Sequence, residues 1–326
     1  MKIKKISPSS YNSWDGCQHR YFLEQNLKYT FPAGKAADIG TVVHKVLEIL
    51  ALVQLKIQEQ DNTPLKVKDT EIDIDNYTIT ELLHLSMSGF KEGYFDGKDI
   101  ETMQEYLKRA LSFNNGEYDP RNRKILAPEK RVKVEIPEEW AKNYDGSQFY
   151  LSGIVDLVTE VDENTIEIID YKTGQPKDWN TGKVKKYKDF FEDPQLRFYH
   201  WAATRVYGEY KNFIVSILFF KTQDYFSIPF SSKDLEKTEQ LLKDRYHEIK
   251  NCNIPKLNIS WKCTKFCPFG KLTTEGTNLP QLTQEEIGGI ASRGSPMTMC
   301  DCSIYNIHLH GIDYVEENMG KYKKNE

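Results

Sequence analysis

Three consecutive segments with the period or apolar run of β-strands constrain this fold more than any other feature. Arg131-Val-Lys-Val-Glu-Ile136 alternates polar and apolar side chains, which is the period of a half-buried strand. Phe149-Tyr-Leu-Ser-Gly-Ile-Val-Asp-Leu-Val158 reads as a second strand with a glycine inside it, and Ile166-Glu-Ile-Ile169 as a third. Asp162-Glu-Asn164 before the third is a turn signal. Helical spacing returns over 193–207, with Leu196, Tyr199, Ala203 and Val206 on one face. Two further strands follow at 213–220 and 224–229, then an amphipathic helix over 231–249 opened by Ser231 or Ser232. Upstream, helices are expected over 7–27, capped by Ser9 or Ser10, over 38–58, and twice within 77–113, with breaks near Gly93 and Gly97. Past Cys252 regular patterning is weak. This order predicts an α/β (α+β) architecture with a central mixed sheet flanked by helices.

The 326 residues suit one large domain. It would comprise a helical part over 1–120, a catalytic core over 121–250 and a Cys-rich tail over 251–326. With 16 Phe, 19 Tyr and 28% charged residues, the chain is not of the disordered class. No run approaches the ~20 apolar residues of a membrane span. Lys2, Lys4 and Lys5 are followed by Ser7-Pro-Ser-Ser10 rather than the apolar stretch of a signal peptide. The expectation is an intracellular, cytoplasmic protein with no membrane partner. A net charge of −4 excludes an overall basic coat but not local basic patches.

The most informative stretch runs from Gly153 to Gln195. Asp156 sits in an apolar run, where an unpaired carboxylate is costly. Fourteen positions later comes Asp170-Tyr171-Lys172-Thr173-Gly174. Residues two apart on a strand share a face, and neighbouring strands lie ~4.8 Å apart. Asp156, Asp170 and Lys172 can therefore meet. Two converging carboxylates suit a hard divalent cation such as Mg²⁺. A lysine beside it can orient or deprotonate a water, or offset charge on a phosphate. An isolated Asp-x-Lys triplet is in most chains a surface ion pair; the apolar run around Asp156 favours the chemical reading.

Gly153-Ile-Val-Asp156 followed by Ile168-Ile-Asp-Tyr-Lys-Thr-Gly174 resembles the PD-(D/E)XK nuclease superfamily in its RecB-like branch. Gln195-Leu-Arg-Phe-Tyr199 is similar to that branch's Gln-x-x-x-Tyr motif, and Gly40-Thr-Val-Val-His44 to its Gly-x-x-x-His motif. Ser7 through Tyr21 resembles the opening segment of members that carry an iron–sulfur cluster. The resemblance spans residues 7–267 with five motifs in order. It implies Mg²⁺ or Mn²⁺ on Asp156, Asp170 and His44, helped by the backbone carbonyl of Tyr171. It implies that Lys172 acts on the water, and that Gln195 and Tyr199 steady the lysine, the water or the DNA backbone. Glu129, placed just before the first strand, matches a supporting carboxylate loosely. Taken without the resemblance, His44 reads as a boundary histidine and Gln195 and Tyr199 as sheet-lining residues.

The chain has six cysteines: Cys17, Cys252, Cys263, Cys267, Cys300 and Cys302. In a reducing compartment, clustered cysteines are more often metal ligands or catalytic groups than disulfides. The resemblance implies a 4Fe–4S cluster between Cys17 and the tail, with Zn²⁺ as the alternative on thiolate chemistry. Cys263 and Cys267 are separated by three residues instead of the usual two, and 32 residues lie between Cys267 and Cys300. The fourth ligand is open between Cys300 and Cys302, and Cys252 is the expected bystander.

Two basic groups flank the proposed site. One comprises Lys183, Lys185, Lys186 and Lys188, with Trp179 and Tyr187 beside them to stack on unpaired bases. The other comprises Arg121, Arg123, Lys124, Lys130, Arg131 and Lys133, placed to neutralise phosphates. The implied function is a metal-dependent DNA exonuclease acting on single strands or duplex ends. The relatives are nucleases of phage recombination, CRISPR-associated adaptation nucleases and helicase–nuclease repair complexes, so a helicase or recombination protein is the implied partner. No Gly-x-x-x-x-Gly-Lys motif is present, so the chain is not itself a helicase. A catalytically silent DNA-binding scaffold is the alternative, against which the intact Asp-x-Lys triplet argues. RNA is a third substrate reading.

Overall fold

The computed structural model describes residues 1, 3–26, 28, 34–143, 145–178, 182–256 and 258, and the backbone of 271–273 and 298–300. The elements in order are β1 (Lys5–Ile6), α1 (Pro8–Gly16), α2 (Gln18–Tyr21), α3 (Lys35–Gln58), β2 (Leu65–Val67), β3 (Thr70–Ile72), α4 (Ile79–Met87), α5 (Gly97–Ser112), β4 (Lys124–Glu135), β5 (Tyr150–Asp162), β6 (Thr165–Lys172), α6 (Tyr187–Phe191), α7 (Pro194–Val206), β7 (Asn212–Phe219), β8 (Asp224–Phe230), α8 (Ser232–Lys250), β9 (Lys271–Thr273) and β10 (Thr298–Cys300). Two compact units result, Ala33–Lys243 and Met1–Pro32 with Asp244–Glu326. Among the described residues no helix is long and apolar enough to cross a membrane.

The Ala33–Lys243 unit is built on a mixed sheet whose strands run β4-β5-β6-β7-β8. Every pair is antiparallel except β6 with β7. A parallel pair needs a crossover, and here α6 and α7 supply it. β4 and β5 pair over their whole length, from Lys124↔Glu160 to Glu135↔Tyr150. β5 and β6 pair only from Asp162↔Thr165 to Leu157↔Ile169. Beyond that point β5 no longer pairs with β6 while β6 continues along β7, so Asp156 and Asp170 are the first positions at which the two strands are not paired with each other. The predicted turn at 162–164 is the β5–β6 connection.

α3 packs its apolar stripe of Val42, Val43, Val46, Leu47 and Leu50 against Leu157, Ile169 and Tyr171 of the sheet, with α4 and α5 on the same core. One buried polar knot crosses the strands. Arg123 just before β4 donates to Glu167 of β6 and, at 3.0 Å, to Thr159 of β5. Ser216 of β7 donates to the same Glu167 carboxylate at 2.5 Å. Glu167 is 5% exposed, so its charge needs these partners.

In the Met1–Pro32 and Asp244–Glu326 unit, Ser7 caps α1 in a capping box with Ser10, where Ser9 or Ser10 had the sequence signal. The expected 7–27 helix is broken at Cys17, whose backbone is extended at φ −165° and ψ 109°. The Arg245 guanidinium lies 3.8 Å from the Tyr11 ring and donates to Asp15 at 2.6 Å. The stretch after α8 runs along the Cys17 break. Lys256 N–H donates to Gln18 Oε1 at 3.0 Å, and Asn258 Nδ2 to the Gly16 carbonyl at 2.8 Å.

Candidate active site

Asp156 is the first residue of β5 past its pairing with β6. The freed Tyr171 N–H donates to Asp156 Oδ2 at 2.8 Å, and Asp156 Oδ1 lies 3.2 Å from His44 Nδ1. Tyr171 thus enters the site through its backbone. Its ring points into the core, edge-on to His44 at 6.4 Å, and its hydroxyl donates to the Tyr118 carbonyl. His44 is delivered by α3, and Gly40 one turn earlier lets that helix come close. A Cβ at Gly40 would sit 3.0 Å from Thr173 Oγ1, just after β6. Replacing Gly40 with valine is expected to push α3 away from the β6 end and reduce activity. Adding Thr173→Ala should restore part of it. Activity unchanged in Gly40→Val would show that this close approach does not position His44.

Asp170 has a side chain 3% exposed, with Lys172 Nζ 2.5 Å from its Oδ2. Gln195 Nε2 donates to its Oδ1 at 2.9 Å and to the Tyr199 hydroxyl at 2.9 Å. Tyr199 in turn donates to the Ile154 carbonyl at 2.8 Å. Gln195 and Tyr199 lie one turn apart on α7, so the i and i+4 side chains meet each other and together bridge Asp170 of β6 and Ile154 of β5. Asp193 caps that helix, accepting the Gln195 N–H on Oδ1 at 2.9 Å and Lys185 Nζ on Oδ2 at 2.7 Å.

Burial opposes the ionised form of both aspartates, but with different outcomes. At Asp156 the His44 ring, Lys172 and the Tyr171 N–H outweigh burial and hold the carboxyl below its ordinary value. At Asp170 burial prevails over Lys172, and the neighbouring Asp156 charge adds to it, so the carboxyl is raised. Burial also opposes charge on Lys172 and His44. Asp170 and Asp156 overcome it at the lysine, and Asp156 overcomes it at the histidine, so both are raised. Two carboxyl groups whose proton affinities are pushed apart, beside a protonated lysine, are the chemistry of an acid–base and cation-binding set.

The structure therefore brings together His44, Asp156, Asp170, Tyr171, Lys172, Gln195 and Tyr199. Among the described residues no three His, Cys, Asp or Glu side chains stand at the spacing of a bound metal. The aspartate oxygens are instead taken up by His44, Tyr171 N–H, Gln195 and Lys172. The donor set nevertheless fits a divalent cation. It offers carboxylate oxygens with one imidazole, and the Asp170 carboxyl is raised by burial and the Asp156 charge, which a bound cation would offset.

Glu129 stands inside β4 rather than before it, at φ +33°. Burial and a hydrogen bond with Glu48 raise its carboxyl. Glu48 and Asp193 were not singled out from the sequence. The i, i+4 step from His44 to Glu48 on α3 was the available signal for the first, and the Asp-Pro helix start for the second. Cys17 and Cys252 are free and half-buried, in the other unit. Cys263, Cys267, Cys302 and Trp179 lie outside the described residues, and Cys300 is described in backbone only.

The basic groups divide sharply. Arg121 is bound to Asp119, Arg123 to Glu167, Lys124 to Glu160 and Lys185 to Asp193. Lys130 and Arg131 have no carboxylate partner among the described residues.

The sequence profile of the PD-(D/E)XK nuclease superfamily matches residues 5–272. Among solved structures, a candidate exonuclease from Eubacterium rectale is similar, with 13% identity and a TM-score of 0.48, covering 88% of this chain and 94% of that one. SSO0001 is similar with 14% identity and a TM-score of 0.35, covering 82% and 85%. No curated protein matches the chain.

Proposed function

Because the chain belongs to the PD-(D/E)XK nuclease superfamily, we propose that it is a metal-dependent deoxyribonuclease of the RecB-like branch, acting as an exonuclease. The observation that carries this reading is the meeting of Asp156, Asp170 and Lys172 where β5 and β6 part. Asp156, Asp170 and His44, with the Tyr171 carbonyl, would hold Mg²⁺ or Mn²⁺. When bound, that ion polarises the phosphate and lowers the pKa of a water. The protein's own groups do the rest. Lys172 is raised and carries its proton at neutral pH. It serves as a cation against the charge that develops on the phosphate and as a donor that orients the water. Gln195 fixes Asp170 Oδ1, and Tyr199 ties Gln195 to β5, so the carboxylate is held before substrate arrives. Incubation of end-labelled single-stranded and duplex DNA with Mg²⁺ or Mn²⁺ tests the reading. Stepwise loss of nucleotides from ends is expected. Internal cuts in closed circles would replace exonuclease with endonuclease action, and metal-independent or absent cleavage would overturn the reading.

The raised His44 gives a pH dependence. Its ion pair with Asp156 stabilises the metal-free protein below the ordinary histidine value of 6.5 and is lost as pH rises through the raised one. A proton on His44 competes with metal. Activity at limiting metal should therefore climb through an ionisation above 6.5, and His44→Gln should remove that step. An unchanged acid limb in His44→Gln would separate His44 from metal binding.

We infer also that Cys17 and the tail cysteines hold a 4Fe–4S cluster. The hydrogen bonds of Lys256 and Asn258 to Gln18 and Gly16 support this, since they bring the chain back to Cys17 shortly before Cys263. The pairing of Cys300 with Lys271 supports Cys300 as a further ligand, because Lys271 follows Cys267 by four residues. Anaerobically purified protein should be brown with a broad visible absorbance that Cys17→Ala removes. Colourless protein with stoichiometric zinc would keep the site and replace the cluster.

A further inference from the structure

We propose that the exposed face of the β4–β5 ribbon is a track that leads one unpaired DNA strand to the Asp156 site. The proposal rests on the nuclease reading and names its substrate class. On β5, Tyr150, Ser152, Ile154 and Asp156 fall on alternate positions, and alternate residues share a face of a strand. Leu151 and Val155 between them are buried, whereas Ile154 is 42% exposed. On β4, Arg131 and Lys133 are exposed, and the Val132 between them is buried. The register sets Arg131 opposite Ile154 and Lys133 opposite Ser152. Lys133 Nζ sits 4.7 Å over the Tyr150 ring, which confirms that these side chains occupy one face.

The spacing and the charges suit a polynucleotide. A two-residue step along a strand is ~6.8 Å, the order of one nucleotide of backbone. Arg131 then stands one step, and Lys133 two steps, from Asp156. Arg131 has no carboxylate partner among the described residues. Among the described residues the carboxylate partner of Lys133 is Glu135, an exposed contact at 3.8 Å of a kind worth little. Both can take phosphates. Ile154 and Tyr150 give apolar and aromatic surface for bases, which only an unpaired strand can present to a flat ribbon. Ile154 is a long apolar side chain left exposed two residues from the half-buried Asp156, and a base stacked on it accounts for that exposure.

The test is binding of fluorescent oligo(dT) to full-length protein carrying Lys172→Ala, so that the strand stays uncut. Arg131→Gln with Lys133→Gln should weaken binding and lower the slope of log Kd against log salt by about 1.4, at ~0.7 per phosphate contact on a single strand. Arg131→Lys with Lys133→Arg should keep the slope. Tyr150→Leu should weaken binding about 5- to 150-fold at fixed salt and leave the slope unchanged. All these positions are partly or fully exposed, and unchanged melting temperatures confirm intact folding. Wild-type affinity and slope in the double Gln variant would overturn the track. An equal loss on blunt duplex would overturn its single-strand character. Failure of otherwise unsubstituted protein to cleave DNA would count against the nuclease reading instead, because the binding series judges the track independently.

Discussion

Replacing Lys172 with alanine is expected to slow single-turnover DNA cleavage about 10²–10⁴-fold, the range of a positioned proton donor or cation, while the fold persists. The lysine side chain is 34% exposed and makes an ion pair with Asp170, so its removal opens no core cavity. It does leave Asp170 buried without its nearest cation. A buried carboxyl in that position takes up a proton. Asp170 is already raised by burial, and a raised carboxyl contributes stability at low pH that is lost as pH rises. Lys172→Ala should therefore melt close to wild type in mild acid and below it in mild alkali. Arginine at this position should not restore full activity, because a planar fork does not replace a compact ammonium. A variant with near wild-type cleavage rate would remove Lys172 from the chemistry.

The largest stability loss is expected at Arg123. Arg123→Ala should lower the unfolding free energy by about 3–5 kcal/mol, the cost of leaving one member of a buried ion pair alone. Glu167 is 5% exposed and is held by Arg123, Ser216 and Tyr118. Urea unfolding measures the loss. Adding Glu167→Gln removes the stranded charge and should recover much of it. Glu167 lies three residues before Asp170 on β6, so Arg123→Ala should lower activity as well. A loss below about 1 kcal/mol would mean that Glu167 is satisfied without its arginine.

Much of this was legible from local pattern, for reasons that particular residues make clear. The alternation of Arg131 to Ile136 located β4, and Asp162-Glu-Asn164 located the turn between β5 and β6. The apolar run marks β6 only as far as Ile169, and the Asp-x-Lys spacing carries the strand on to Lys172, where the structure ends it. Its last polar residues serve the site, and they hide the strand from a hydrophobicity pattern. Asp156 was legible as a charge in need of a partner. That the partner is His44, 112 residues away, is long-range packing that no local period records. The break at Cys17 was not legible either, because Trp14, Cys17 and Tyr21 keep helical spacing across an extended residue. Glu48 and Asp193 were missed because each became relevant only when α3 and α7 were laid against the sheet.

The central claim is that Asp156, Asp170 and Lys172 form a metal-dependent phosphodiester-cleaving site. Cleavage of end-labelled DNA by wild type, Asp156→Ala and Lys172→Ala, each with Mg²⁺, with Mn²⁺ and with chelator, tests it most directly. The account predicts metal-dependent cleavage by wild type, abolished by chelator and reduced at least 10²-fold in both variants. Equal cleavage by all three proteins, or cleavage that persists in chelator, would contradict it.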